Sequence, residues 1–221
     1  MGRRSLLPLA LLAATLTGLP PAGAELGRED ARIVGRIESY LNAIRTLTAR
    51  FVQVEGNGWI AEGTLHLQRP GKLRIEYAPP HRFLIVSTGR MLIVYSGKSD
   101  QVTHLPMSVS PAAFLLGERV DLSRKVSVTR IERRAGAYLL RVVPRGASAG
   151  TLLLRFSRRP LAIKEWTVID AKGKTTRIVL VDQRINVPID PVKFLFQKPA
   201  VRRGRRAPKR GKIKRMDLPA N

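Results

Sequence analysis

The three histidines are the first residues of this chain that could do chemistry, because imidazole serves both as an acid-base group and as a metal ligand. His66, His81 and His104 show no metal-ligand spacing, and the sequence contains no cysteine to complete a site. Each histidine falls within a predicted strand or turn. We therefore predict no metal site and no histidine-based catalysis.

The serine and aspartate residues form no catalytic arrangement either. Ser110 lacks the Gly-x-Ser-x-Gly setting of a nucleophilic serine and precedes a proline, as a helix cap does. No glycine-rich loop joins a strand to a helix, so a phosphate-binding loop is unsupported. The sequence predicts a binding protein that is not an enzyme and uses no cofactor. Three aspartates lie at predicted turns and strand ends, where short polar side chains bond to the backbone: Asp170, Asp182 and Asp190.

An arginine at a hairpin corner is more informative. Two runs within residues 51–86 alternate apolar and polar residues, as half-buried strands do. Between them, Pro70 presets the first central position of a turn and Gly71 accepts the positive φ of the second. Arg69 stands at the corner of this predicted hairpin. The residues of the two runs that point to one side are Leu65, Leu67, Leu73, Ile75 and Tyr77.

The elements around the hairpin predict a mainly β protein of the α+β class. Apolar residues recur at helical spacing over 29–45, and a serine-proline pair with a later glycine predicts a second, short helix over 110–117. A sheet this large must curl to avoid long free edges, so we predict an unclosed antiparallel barrel of about eleven strands with the helices in its concave side. Besides the hairpin, strand signals cover 46–54, 83–87, 91–95, 101–105, 125–133, 137–143, 151–157, 161–170, 174–183 and 193–197.

The two ends of the chain differ from its body. Residues 1–24 hold two arginines, an apolar run and small residues at Ala22 and Ala24, which predicts a cleavable signal peptide and an exported protein. The predicted domain spans 25–199. Residues 200–221 form a basic tail in a chain of net charge +24. Behind an export signal this tail suits anionic lipid headgroups better than nucleic acid, and a solvated, disordered extension is the alternative.

A succession of short motifs resembles the outer-membrane lipoprotein carrier protein family, LolA, over about 30–197. The resemblance implies an unclosed barrel of eleven strands with a helical lid over a hydrophobic cavity. It also implies a soluble periplasmic carrier of acylated lipoproteins, which are released by an inner-membrane ATP-driven transporter and passed to an outer-membrane acceptor. The motifs are Phe51-Val52-Gln53, Arg69-Pro70-Gly71, the segment 74–80, Ser110-Pro111, WTVIDAKG at 166–173, Pro188-Ile189-Asp190 and Phe194-Leu195-Phe196.

The resemblance also implies roles for single residues. The position of Arg69 carries the family's arginine that bonds to the lid backbone and holds the empty cavity shut; a salt-bridging or turn-stabilising arginine is the alternative. Leu73 occupies a position where the family places a residue involved in receiving cargo. We predict twelve residues as cavity lining, although a core face would show the same pattern. They are Leu65, Leu67, Leu73, Ile75, Phe83, Ile85, Met91 and Ile93 of the sheet, and Ile37, Leu41, Phe114 and Leu115 of the lid.

Two other functions remain open at this level. A relative with the same fold could bind lipid or lipoprotein as an envelope sensor or adaptor, with a stable protein partner and no transfer step. A basic surface protein could act through its tail alone, in which case deletion of 200–221 would abolish function. The absence of cysteine argues against the related lipid-anchored acceptor.

Overall fold

The computed structural model describes residues 26–110, 113–145 and 150–199. The signal peptide predicted for 1–24 and the basic tail predicted for 200–221 lie outside the described residues. The described chain holds one α-helix, α1 (Arg28–Ala43), and eleven strands. The strands are β1 (Thr46–Glu55), β2 (Ile60–Gln68), β3 (Lys72–Tyr77), β4 (Phe83–Thr88), β5 (Met91–Ser96), β6 (Gln101–Pro106), β7 (Val126–Arg134), β8 (Ala137–Pro144), β9 (Thr151–Arg158), β10 (Leu161–Ile169) and β11 (Thr175–Ile185).

All eleven strands belong to a single antiparallel sheet. Their order is β6-β5-β4-β3-β2-β1-β11-β10-β9-β8-β7, so each strand pairs with its neighbour in sequence except where β1 meets β11. The end strands β6 and β7 do not pair with each other, and the sheet stays open. This confirms the predicted mainly β class and the unclosed antiparallel architecture.

Helix α1 packs against the concave face of the sheet. Its buried residues Ile33, Ile37 and Leu41 recur every four positions and form one apolar stripe. At its N-terminal end, Glu29 and Asp30 form ion pairs with Arg133 of β7. Within the described part of the chain, no helix combines the length and apolar character needed to cross a membrane.

The described residues that link the two edge strands, 107–110 and 113–125, pack beside α1, and we call them the connecting segment. The short helix predicted over 110–117 is a 3-10 helix rather than an α-helix in its described residues, at Ala113–Leu116, and a second 3-10 helix lies at Met107–Val109. The backbone bonds here span three residues, as in Gly117 N–H to Phe114 O at 3.4 Å. Phe114, Leu115 and Leu116 are nevertheless buried against the concave face.

The prediction of a last strand over 193–197 is also wrong. Residues Pro191–Phe194 form a 3-10 turn, because Asp190 accepts the backbone N–H of Val192 at 2.9 Å and Pro191 occupies the first helical position. Phe194 is buried, and Phe196 packs on a small cluster of Leu84, Val86 and Tyr95. This chain end therefore covers part of the convex face, while the main core lies on the concave face.

Candidate functional site

An apolar cavity of about 200 Å³ lies between the concave face, α1 and the connecting segment. Its wall carries two polar side chains, those of Arg69 and Ser110, among otherwise apolar residues. The predicted lining residues that reach it are Leu41, Leu65, Leu67, Leu73, Ile75 and Leu115, together with the predicted lid-closing residue Arg69.

Four other predicted residues lie on the concave side but away from the cavity wall. Ile37 and Phe114 are buried in the main core, and Ile85 packs against that core from β4. Phe83 lies farther along β4, with its ring edge-on to Tyr77 at 5.3 Å between centroids. These residues support the wall or stand beyond its end.

The structure corrects the prediction at Met91 and Ile93. Ile93 pairs with Val86, whose side chain is on the convex face, and Met91 has the same parity and is exposed. Leu92, between them, lines the cavity instead. Residues 91–94 are all apolar, so the sequence pattern could not show which of the two alternating sets faces inward.

A β-bulge explains other lining residues that the sequence pattern missed. The register of β10 shifts between Ile163 and Glu165, which brings both Ile163 and Trp166 to the concave side. Strict alternation would have placed them on opposite faces. Trp166, which the prediction of cavity lining did not include, is therefore part of the wall. The remaining wall residues that the prediction did not include are Ile44, Leu47, Leu92, Met107, Ser110, Leu116, Val168 and Ile178.

Arg69 connects the hairpin corner to the two elements that lie over the cavity, α1 and the connecting segment. Its Nε donates to the backbone oxygen of Leu115 at 3.0 Å, and its Nη1 donates to that of Leu41. Leu41 lies in the last turn of α1, where its carbonyl also accepts the N–H of the C-cap residue Ile44 at 3.3 Å. One planar guanidinium thus joins α1, the connecting segment and the β2–β3 corner.

Backbone and side-chain bonds add to this closure. The N–H of Gly71, at φ +72°, donates to the oxygen of Leu116 at 2.8 Å. Asn42 of α1 bonds twice to Val120, accepting its N–H at 2.8 Å and donating to its oxygen at 2.9 Å. We call α1 and the connecting segment together the lid, because these bonds make them one unit.

The charge of Arg69 is balanced by backbone dipoles. Arg69 is 9% exposed, and it takes part in no ion pair found among the described residues. Burial, followed by the nearby positive charge of Arg45, lowers the pKa of Arg69 to about 10. The group stays protonated at neutral pH, and the carbonyl end of α1 is a favourable place for it.

The closed cavity is small for a lipid ligand. Engineered apolar cavities of about 150 Å³ stay dry and hold one benzene, and pockets for drug-sized ligands begin near 300 Å³. At about 200 Å³ the closed form can exclude water and hold a short apolar fragment. A long acyl chain requires the lid to move. In the described parts of the chain, no three His, Cys, Asp or Glu side chains come together as a metal site.

Sequence comparisons relate most of the chain to known proteins. The family model described as "Outer membrane lipoprotein carrier protein LolA" matches residues 42–197. A protein named outer-membrane lipoprotein carrier protein from Chromobacterium violaceum is 29% identical over 89% of this chain and 95% of its own length. Proteins of the same name from Methylococcus capsulatus and Bordetella pertussis are each 31% identical, over 75% and 81% of this chain and 83% and 87% of their own lengths.

Solved structures with a similar chain path were also found. A LolA superfamily protein from Nitrosomonas europaea has a TM-score of 0.44 at 10% identity and covers 73% of this chain and 97% of its own. The lipoprotein LppX of Mycobacterium tuberculosis has a TM-score of 0.40 at 10% identity, covering 74% and 100%.

Proposed function

Because the chain belongs to the LolA family of outer membrane lipoprotein carrier proteins, we propose that it binds the acyl chains of lipoproteins released from the inner membrane and delivers them to the outer membrane. Carriers of this family are transport proteins rather than enzymes. The proposed setting is the periplasm, with the protein acting as a soluble monomer. The proposed partners are an inner-membrane lipoprotein-releasing transporter, an outer-membrane acceptor and, for the tail, anionic lipid.

One observation supports this function above the others: Arg69 joins both parts of the lid to a hairpin corner above an apolar cavity. Three hydrogen bonds from the corner, two from Arg69 and one from Gly71, close the lid when no cargo is present. Opening would break them and expose the apolar wall. We propose that Arg69 is the lid-closing residue on this basis.

The energy of acyl burial explains why a carrier needs such a closure. Each buried methylene contributes about 0.8 kcal/mol, so a whole acyl chain could bind too tightly to be released. A lid that closes on itself offsets part of that energy, since the loaded form gives up the closing bonds. Cargo then passes to an acceptor that binds the acyl chains more favourably.

The acyl chains are proposed to contact the apolar wall beneath the lid. The wall residues occupy every second position of neighbouring strands, so their side chains all face the cavity. An acyl chain that lies across these strands therefore contacts only uncharged side chains of the sheet. The charged guanidinium of Arg69, at the rim of the cavity, is hydrogen-bonded to backbone carbonyls of the lid. The proposed contact residues are Leu65, Leu67, Leu73, Ile75, Leu41 and Leu115, which line the cavity already in its closed form.

A lipoprotein-release assay tests the function directly. Lipoprotein-loaded inner membranes are incubated with ATP and the purified mature protein, and the soluble fraction is examined for a one-to-one complex. We expect lipoprotein to appear there. Absence of release, with uptake of a fluorescent fatty acid intact, would exclude the carrier function and leave a lipid-binding sensor or adaptor.

Two neighbouring substitutions make the assay specific for the cavity. Leu73 lines the wall and is partly exposed, whereas Lys72, next to it on β3, faces the other side of the sheet. Leu73→Glu should abolish uptake, because an ionised carboxylate would lie against the acyl chain. Lys72→Glu should leave uptake intact. Equal behaviour of the two variants would contradict an acyl site at this wall.

A further inference from the structure

The concave face continues beyond the cavity into a second recess. On β3, Leu73 and Ile75 line the cavity, and Tyr77, the next residue on the same face, lines a wider basin of about 580 Å³. This basin lies where β3 ends and β4 begins, at the opposite end of the strands from Arg69. Its other side chains include Glu55, His81 and Arg82, so it is polar where the cavity is apolar.

Three aromatic rings lie on the concave face next to the cavity residue Ile75, and we call Phe51, Tyr77 and Phe83 the aromatic partition. Tyr77 and Phe83 line the basin, and Phe51 is buried in the main core beside Tyr77. Tyr77 lies edge-on to Phe51 at 5.2 Å and to Phe83 at 5.3 Å between ring centroids. Gly63, which pairs with both Phe51 and Tyr77, makes room for them, since a Cβ there would lie 2.7 Å from the Phe51 ring. The rings therefore form a continuous packed row across the concave face.

A buried polar contact reinforces the partition. The Tyr77 hydroxyl donates to Oε1 of Gln53 at 2.6 Å, and the Gln53 side chain is almost fully buried. Burial, followed by the nearby negative charge of Glu55, raises the pKa of Tyr77 to about 12, so the hydroxyl stays protonated and able to donate at neutral pH. An apolar chain passing this point would have to break this bond and leave the buried Gln53 Oε1 without its Tyr77 donor, although Nε2 of Gln53 keeps its bond to Glu55.

The partition is also built on a more rigid base than the lid. Phe51, Tyr77 and Phe83 belong to β1, β3 and β4, which are held in the interior of the sheet by ladders on both sides. Displacing the buried Phe51 ring, against which Tyr77 packs, would leave a void in the core, whereas opening the lid separates elements joined by a few bonds. An acyl chain that enters beneath the lid therefore meets a fixed end.

We propose that Tyr77 is a specificity-determining residue, whose ring, held between Phe51 and Phe83, limits the length of acyl chain that the cavity accepts. This inference rests on the proposed function, because it assumes that acyl chains enter from the lid side. Methylenes up to the partition are buried, and further methylenes stay outside at the lid. Removing the Tyr77 ring joins the cavity to the basin and lets a longer chain be buried.

The test measures binding of saturated fatty acids from decanoate to docosanoate, by displacement of a fluorescent fatty acid from the full mature protein. In the wild type we expect affinity to rise about fourfold for each added methylene and then to reach a plateau. Tyr77→Ala should move the plateau to longer chains, and Tyr77→Phe, which keeps the ring, should leave it in place. If Tyr77→Ala does not fold, Tyr77→Leu should give a smaller shift in the same direction.

A second tyrosine supplies the matched control. Tyr40 of α1 packs edge-on to Phe156 at 6.2 Å and accepts the N–H of Ile163 at 3.2 Å, away from the partition. Tyr40→Ala should leave the plateau length unchanged. A plateau that Tyr77→Ala does not move, or a wild type without a plateau, would overturn the inference while leaving the carrier function standing. A folded wild type that binds no fatty acid of any length would overturn both.

Discussion

The cavity has two ends that are closed in different ways. At the lid end, Arg69 reaches across to α1 and the connecting segment, so closure depends on hydrogen bonds between separate elements. At the partition end, beyond the cavity residue Ile75, Phe51, Tyr77 and Phe83 pack edge-on to one another within a single sheet. The two ends lie on one concave face, only a few residues apart along β3.

This difference indicates which end can move. Hydrogen bonds to backbone carbonyls can be exchanged for bonds to water when the lid opens, so each contributes much less net free energy than its full strength. Rings packed against central strands cannot move without opening a void or breaking a ladder. The lid end is therefore suited to opening and the partition end to setting a limit. Four predictions test this contrast.

The largest expected effect is on global stability at the partition end. Phe51 is 1% exposed, so Phe51→Ala should lower the free energy of unfolding by about 3–5 kcal/mol. The same change at Phe196, which packs on the small cluster of the convex face, should cost less. Urea unfolding of both variants measures the difference. A loss below about 1 kcal/mol in Phe51→Ala would show that the partition is not a fixed wall.

At the lid end, the main effect should be on delivery rather than on stability. Arg69→Leu removes two hydrogen bonds from a charged donor, each worth about 1.5–3 kcal/mol, which shifts the lid about a hundredfold or more toward open forms. The variant should take up lipoprotein and pass it on at least about tenfold more slowly, as measured by transfer of bound cargo to an outer-membrane acceptor.

A surface arginine serves as the control for that experiment. Arg50 forms an exposed ion pair with Asp182 on the other face of the sheet, so Arg50→Leu should deliver normally. Arg69→Lys keeps the charge but lacks the planar fork, and it should give an intermediate rate. Delivery at the wild-type rate by Arg69→Leu would remove the proposed role of the lid-closing arginine.

A smaller effect is expected within the lid itself. Asn42→Ala removes both bonds between α1 and Val120, which should lower the local opening free energy by about 1–3 kcal/mol. Hydrogen exchange at the amide of Leu122, which donates to Glu38 of α1, should become faster, while amides of β1 near the partition stay unchanged. Asn57→Ala, in an exposed turn, is the control. Equal acceleration in β1 would mean that the two ends open together.

The smallest effect concerns alkaline titration at the partition end. The folded-state pKa of Tyr77 lies near 12, against an ordinary value of 10, so its neutral form contributes stability below pH 10 that is lost as pH rises toward 12. The difference in tyrosinate absorbance between wild type and Tyr77→Phe should therefore appear near pH 12. A difference that appears near pH 10 would show that water reaches the ring.

Much of the site could be predicted from local pattern. The turn at Pro70 and Gly71 placed Arg69 at a corner, and strict alternation in β2 and β3 put Leu65, Leu67, Leu73 and Ile75 on one face. Prediction failed where the pattern was ambiguous or broken. Residues 91–94 are uniformly apolar, so the choice between Met91 and Leu92 had no local signal. The bulge after Ile163 turns the side chain of Trp166 to the concave face, and no residue type in this segment indicates that a bulge is present.

The sequence by itself determined the class of fold and the position of the hairpin corner, because turn chemistry and periodicity act between residues close in the chain. Its succession of short motifs also pointed to the family. Only the tertiary structure decided which distant residues these side chains contact. The partners of Arg69 lie 28 and 46 residues away, and the Phe51 and Tyr77 rings come together across three strands. Such contacts depend on register and on the curvature of the whole sheet, which no local pattern specifies.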